Sequence, residues 1–100
     1  YNVNVLMKSE TSFSCLAGRE IFINSSGNET LANAGSGDVL SGIVVSLLAA
    51  SSDVRTSMIC GTYLHGMLAD MYFLKNGNKQ SASQKDLINF IPKAITQILN

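Results

Sequence analysis

The feature that most constrains this chain is a pair of glycines set just ahead of an apolar run. Gly35-Ser36-Gly37-Asp38 leads into residues 43–50, which carry no charge. A small-residue loop feeding such a run reads as the entry to a buried helix, expected over 38–50. The first N–H groups of a helix have no intrahelical acceptor, and with the helix dipole they favour an anion, phosphate above all. Gly35 and Gly37 allow unusual backbone angles and close approach of a ligand. Asp38 is the odd residue, because a carboxylate beside phosphate repels it unless it has a task. Two tasks fit: capping the helix, or taking a proton from a hydroxyl that attacks phosphorus. Two better-known phosphate loops are excluded. No Lys follows Gly37, as a P-loop requires, and Leu40 stands where a dinucleotide fingerprint needs its third Gly.

The flanks support an α/β arrangement. Residues 3–7 read as a short apolar strand ending at Lys8, the end at which open α/β sheets bind ligands. Residues 13–16 and 20–23 read as a strand pair around Ala17-Gly18-Arg19. A turn-rich stretch, 24–28, leads to the glycine loop. Residues 38–50 leave almost no polar face, so their helix is expected between other layers of protein. Residues 53–74 read as a long amphipathic helix, with Val54, Met58, Tyr63 or Leu64, Met67 or Leu68, and Met71 on its period. Gly61 and Gly66 within it point to close packing against a neighbouring helix. His65, the single histidine, reads as a packing residue, and no second His or Cys lies at metal-ligand spacing. Asp70 is expected to pair with His65 or face solvent. Residues 75–82 read as a polar loop. Ser83 opens a last helical region with a stripe of Leu87, Ile91, Ile95 and Ile98, split at Pro92.

Composition narrows the partners. Zero net charge argues against a basic nucleic-acid-binding face. The longest apolar run is about half a membrane span, which excludes a spanning helix. Cys15 and Cys60 lie far apart without a CxxC and read as reduced thiols of a cytoplasmic protein. One hundred residues make one small domain at most. Charged residues are only 14%, against about 25% in typical domains. So few charges imply a surface covered by something else. The expected cover is the rest of the chain's own domain, upstream of Tyr1, and further copies in a homo-oligomer.

Gly27-Asn28, Leu31-Ala32 and the block from Gly35-Ser36-Gly37-Asp38 through Ile43 resemble the signature of the ADP/ATP-dependent NAD(P)H-hydrate dehydratases, in the ribokinase-like superfamily. Val5-Leu6-Met7-Lys8 is similar to the family's strand ending in Lys. Gly61-Thr62-Tyr63-Leu64-His65-Gly66 with Asp70 resembles its next helix, and Asp86-Leu87-Ile88 with Ile91-Pro92 its last. Ser9 departs from the pattern, which has Gly after the strand Lys.

The resemblance implies an α/β fold, with residues 1–100 as the C-terminal part of a ribokinase-like three-layer α/β/α domain. It implies a lyase that repairs hydrated NADH or NADPH: a nucleotide phosphorylates the ring hydroxyl, and phosphate then leaves. Asp38 is the catalytic base and touches the substrate. Gly35, Ser36 and Gly37 form the anion hole. Lys8, Ser9, Glu10, Thr11, Ser12, Asn28 and Gly37 bind the nucleotide. Mg²⁺ accompanies the phosphates, with no metal ligands of the chain's own. ADP is the expected donor, since the loop resembles the bacterial branch rather than the ATP-dependent one with Gly-Gln-Gly-Asp. Small Ala32, Ala34 and Ser36 are expected to leave room for the deeper phosphate. The rivals are a ribokinase-like kinase of a sugar or vitamin precursor and a non-enzymatic nucleotide-binding subunit. Ser36 and Leu40, where sugar kinases carry Ala and Phe, count against the first.

Overall fold

A computed structural model describes residues 3–8, 12–18, 20–79 and 81–99. Three short strands, β1 (Val5–Met7), β2 (Phe13–Cys15) and β3 (Ile21–Ile23), form an antiparallel meander in the order β1-β2-β3. A 3₁₀ turn over Glu29–Ala32 follows, then four helices: α1 (Ser36–Ser51), α2 (Val54–Asn76), α3 (Gln84–Asn89) and α4 (Ile91–Leu99). Among the described residues no helix is long and apolar enough to cross a membrane.

The register aligns Val5, Cys15 and Ile21 across the sheet, and Met7, Phe13 and Ile23 beside them. Strand residues alternate between faces, so these six share one face and Leu6, Ser14 and Phe22 the other. The second face is the covered one, with Ser14 buried and Leu6 and Phe22 half-buried. Ile21 and Ile23 on the first face remain 64% and 65% exposed. A row of exposed strand apolar groups is a surface built for cover.

Helix α1 starts two residues earlier than its apolar run suggests, because Gly35 adopts the left-handed conformation and turns the chain into it. Within this chain the helix is covered on one side only. Leu40 and Ile43 are buried, whereas Val45 is 62% exposed. Ser41, Ser46 and Ser51 each return their hydroxyl to the carbonyl four residues back, which removes free polar groups from the surface.

Helix α2 is the centre of the molecule, not an amphipathic surface helix. From Ser57 to Tyr72 most of its residues are buried, because α1, the segment 24–28 and the last two helices each take a different side. Leu64, Leu68, Met71 and Tyr72 join Ile43, Leu87 and Ala94 in the core. Gly61 packs on α1 at Val44, as expected of a glycine between helices. Gly66 does not face a helix: it lies against the backbone of Ser26. Ser83 and Asp86 form a reciprocal cap on α3. The last region is two short helices, as expected around Pro92: α3 ends at Asn89 and Pro92 sits in the first turn of α4, where its missing N–H is not needed. The expected apolar stripe holds only in part: Leu87 is buried, while Ile95 and Ile98 stay exposed.

The two glycines of α2 should differ in their sensitivity. A Cβ at position 66 would lie 2.1 Å from Ser26 Oγ and 2.6 Å from the Ser26 carbonyl carbon, which is backbone. At position 61 the nearest atom is Val44 Cγ2 at 2.7 Å, the movable end of a side chain. Gly66→Ala is expected to destabilise by about 2–3 kcal/mol, overpacking exceeding the roughly 1 kcal/mol that alanine gains in a helix. Gly61→Ala is expected to cost less. Denaturant unfolding of both variants checks the order.

Candidate active site

The start of α1 leaves a defined pair of donors. Ser36 N–H donates to Asn33 O at 3.2 Å and Asp38 N–H to Gly35 O at 3.1 Å. Among the described residues the N–H groups of Gly35 and Gly37 have no acceptor. Gly35 holds φ at +87°, which strains any residue with a Cβ. Nothing lies within 4 Å of where a Cβ at Gly37 would be, so a ligand has open access there. Of the four N–H groups from 35 to 38, the loop's own turns occupy two and leave two.

Asp38 lies in the first turn of α1 and is exposed. Gly35 is the cap residue and no side chain caps this helix. Among the described residues the Asp38 carboxylate accepts no hydrogen bond. The capping task, one of the two open from sequence, is therefore not performed. The carboxylate stands at the mouth of an apolar groove that runs between α1 and the last two helices, past Val39, Ile43 and Leu47 to Ile91.

Lys8 reaches the same helix start from the end of β1. Its Nζ donates to Leu31 O and to Ser36 Oγ, both at 2.8 Å. Burial lowers its pKa from the ordinary lysine value. Ser36 is fully buried, and its Oγ also lies 3.3 Å from His65 Nε2 on α2. The Ser36 side chain therefore faces inward. The Ser36 N–H, the group expected in the anion hole, is turned to Asn33 O; Ala32 lines the neighbouring cleft. That cleft, about 660 Å³, is bounded by Lys8, Gly27, Asn28, Leu31, Ala32 and Lys79. Lys79 pairs with Glu29 at 2.9 Å.

The segment that bounds the cleft is anchored by α2. Asp70 Oδ2 accepts from Gly27 N–H at 2.9 Å, and its Oδ1 from Asn28 Nδ2 at 3.0 Å. Asn28 Oδ1 in turn caps the 3₁₀ turn at Thr30 N–H. Asn24 donates to Thr62 O and Ser26 to Tyr63 O. Asp70 thus pairs neither with His65 nor with solvent, and its anchoring role was missed from sequence. The available signal was a carboxylate in an otherwise apolar stretch, Leu68-Ala69-Asp70-Met71. Ser12 gives its carbonyl to Asn24 N–H at 3.0 Å and does not line the cleft. Ser9, Glu10 and Thr11 lie outside the described residues. No group of three or more His, Cys, Asp or Glu able to hold a metal occurs among the described residues.

His65 is 2% exposed. Burial first, and then the charge of Lys8, lower its pKa to about 4. It is neutral at pH 7. In the unfolded chain it takes a proton below about pH 6.5, in the folded chain only below about 4. Between those values the unfolded state binds more protons, so stability falls as pH falls. The carboxylates of Asp86, Asp53 and Glu29 are held below their usual range, so their losses come at lower pH. Denaturant midpoints measured down this window should decline, and should decline less in His65→Gln. Equal slopes would remove His65 as the cause.

Comparison with known proteins places this geometry. The family profile described as NAD(P)H-hydrate dehydratase matches residues 1–93. An ADP-dependent (S)-NAD(P)H-hydrate dehydratase of Neisseria meningitidis is 42% identical over 71% of this chain and 24% of its own length. A bifunctional NAD(P)H-hydrate repair enzyme of Moorella thermoacetica is 33% identical over 79% of this chain and 15% of its own. The chain thus spans a quarter or less of these curated relatives. Among solved structures, an ADP/ATP-dependent NAD(P)H-hydrate dehydratase from Bacillus subtilis, co-crystallised with ATP and Mg²⁺ and soaked with CoA, superposes with a TM-score of 0.87. It covers 94% of this chain and 34% of that one at 21% identity. That likeness establishes the fold, of the ribokinase-like α/β kind.

Proposed function

The chain belongs to the NAD(P)H-hydrate dehydratase family, and from that premise we propose that it carries the phosphate-binding and proton-accepting part of an ADP-dependent enzyme that dehydrates NAD(P)H hydrates. Residues 1–100 would be the C-terminal part of one such domain. The remaining sheet and the contacts to the nicotinamide end would come from the rest of that domain, in a cytoplasmic homo-oligomer. The carrying observation is the first turn of α1. There, among the described residues, the Gly35 and Gly37 N–H groups and the Asp38 carboxylate have no partner, and Lys8 Nζ bonds Ser36 Oγ.

In this reading the terminal phosphoryl group of ADP sits at Gly35 and Gly37. Their N–H groups and Lys8 stabilise its charge as it transfers. Losing one such donor typically costs roughly 3–4 kcal/mol of transition-state stabilisation. Asp38 takes the proton of the ring hydroxyl as its oxygen bonds to phosphorus and the bond to AMP breaks. Phosphate then leaves with the carbon–oxygen bond, and a ring proton is lost to restore the double bond. Asn28 and the 3₁₀ turn line the seat of the remaining phosphate. Mg²⁺ would arrive on the nucleotide and keep most of its waters. MgADP is thus the co-substrate.

Asp38→Asn tests the base. Since Asp38 caps nothing, Asn should leave the fold and MgADP affinity within a few-fold. Turnover should fall by about 10²–10⁴. Retention of more than about a tenth of the turnover would remove Asp38 from that role.

The donor is tested in the full-length protein by recovery of NADPH absorbance from its hydrate with each nucleotide and Mg²⁺. Faster recovery with ADP at matched concentration is expected; faster recovery with ATP overturns the donor. A stable phosphorylated alcohol, without recovery, would identify a ribokinase-like kinase.

A further inference from the structure

His65 is a buried titratable group that the chemistry above leaves unused, yet it touches the site through one atom. Its Nε2 meets Ser36 Oγ at 3.3 Å, Ser36 Oγ meets Lys8 Nζ at 2.8 Å, and Lys8 Nζ meets Leu31 O at 2.8 Å. Ser36 is 0% and His65 2% exposed, so water does not substitute for the Ser36–His65 contact, while Lys8 itself is exposed.

The hydrogens of this chain have a forced direction. An ammonium carries three donors and no acceptor, so Ser36 Oγ accepts from Lys8. The hydroxyl has a single hydrogen, and His65 Nε2 is its remaining partner. That nitrogen therefore accepts, and the ring proton lies on Nδ1. A protonated ring would bring a second donor to the serine oxygen and leave the hydroxyl hydrogen with no partner. It would also set a second positive charge near Lys8.

We propose that His65 is a positioning residue: held as the Nδ1–H tautomer, it turns the Ser36 hydroxyl oxygen toward Lys8 and thereby fixes the Lys8 ammonium beside the first turn of α1. Two of the three ammonium hydrogens are used by Leu31 and Ser36. The third is left for the anion that the N–H groups of Gly35 and Gly37 also face. A lysine is a flexible point charge with four rotatable stem bonds. Two fixed acceptors convert it into a preorganised donor, so less ordering is required when the phosphate binds. Helix α2 takes part in phosphate binding without touching the ligand. The inference rests on the reading that a nucleotide phosphate occupies this helix start.

The test uses the full-length protein and three readouts. First, ¹⁵N spectra of histidine-labelled protein should show His65 Nδ1 protonated and Nε2 unprotonated near neutral pH; the opposite tautomer overturns the proposal. Second, MgADP binding by calorimetry should weaken about tenfold in His65→Leu, the scale of one charge-assisted hydrogen bond. His65→Gln, whose Oε1 can accept from Ser36, should recover most of it. Third, in a Lys8→Met background His65→Leu should have no further effect on MgADP affinity. Full additivity would mean that His65 acts only through general packing, and would overturn the proposal. If His65→Leu does not fold, the tautomer and the Gln variant decide. Unchanged MgADP affinity in a folded His65→Leu protein that still dehydrates the hydrate removes this inference alone. MgADP binding that depends on His65, without conversion of NAD(P)H hydrate, removes the dehydratase reading and leaves the positioning role.

Discussion

The site depends on two backbones touching. At Gly66 the surface of α2 has no side chain, and the extended segment 24–28 lies directly on it. Any Cβ there would lift that segment by more than an ångström. With the segment seated, Asp70 one turn further on reaches the Gly27 N–H and the Asn28 amide. Asn28 then caps the 3₁₀ turn, and the turn delivers the chain to Gly35 at the angle that starts α1. The phosphate seat is thus the end of a rigid path that begins in the core. Preorganisation of this kind separates a donor set that stabilises a transition state from one that must first be ordered.

Charge is distributed along the same path with few groups. Asp70 sits behind the loop and is satisfied by an N–H and an amide, not by a cation. Lys8 stands on the ligand side, against a serine and a histidine that carry no charge at neutral pH. Were Asp70 paired with Lys8, the positive field at the helix start would be largely cancelled. Keeping the carboxylate on neutral donors and the ammonium on neutral acceptors leaves that field for a ligand. Asp38 is the exception: among the described residues its carboxylate accepts no hydrogen bond, and on that ground it is proposed as the base.

Local signals were legible in the sequence. Gly35 and Gly37 before an uncharged run announced the helix start. Strand formers on either side of Gly18 announced the hairpin, and Ser83 the start of the last helical region. Long-range contacts were not legible. The period of α2 marked a helix but not how many of its sides are covered, since burial all round and burial on one side both place Leu64, Leu68 and Met71 inward. Nothing local says that Gly66 faces a strand-like segment instead of a helix. Asp70 and His65 were passed over for the same reason: their partners lie 43 and 29 residues away, beyond any spacing rule. The apolar character of α1 predicted cover from outside this chain as well, and within this chain it is covered on one side.

The middle residue of Gly35-Ser36-Gly37 shows why the motif alternates. Ser36 is fully buried, whereas Gly35 and Gly37 are exposed. A Cβ at position 35 would meet Gln84 Cγ at 3.1 Å, and one at 37 would meet nothing within 4 Å. Small size at 36 serves the interior. Position 36 lies in a space bounded by Lys8 and His65 with no surface exposed. A longer side chain there must displace the ammonium or unseat the helix start. Alanine would fit the space but leave Lys8 one acceptor short, with His65 Nε2 facing a methyl group. Serine is the smallest side chain that fills the position while accepting from one neighbour and donating to the other. The residue between the glycines therefore sets where the Lys8 ammonium stands, which in the proposed site is beside the phosphate.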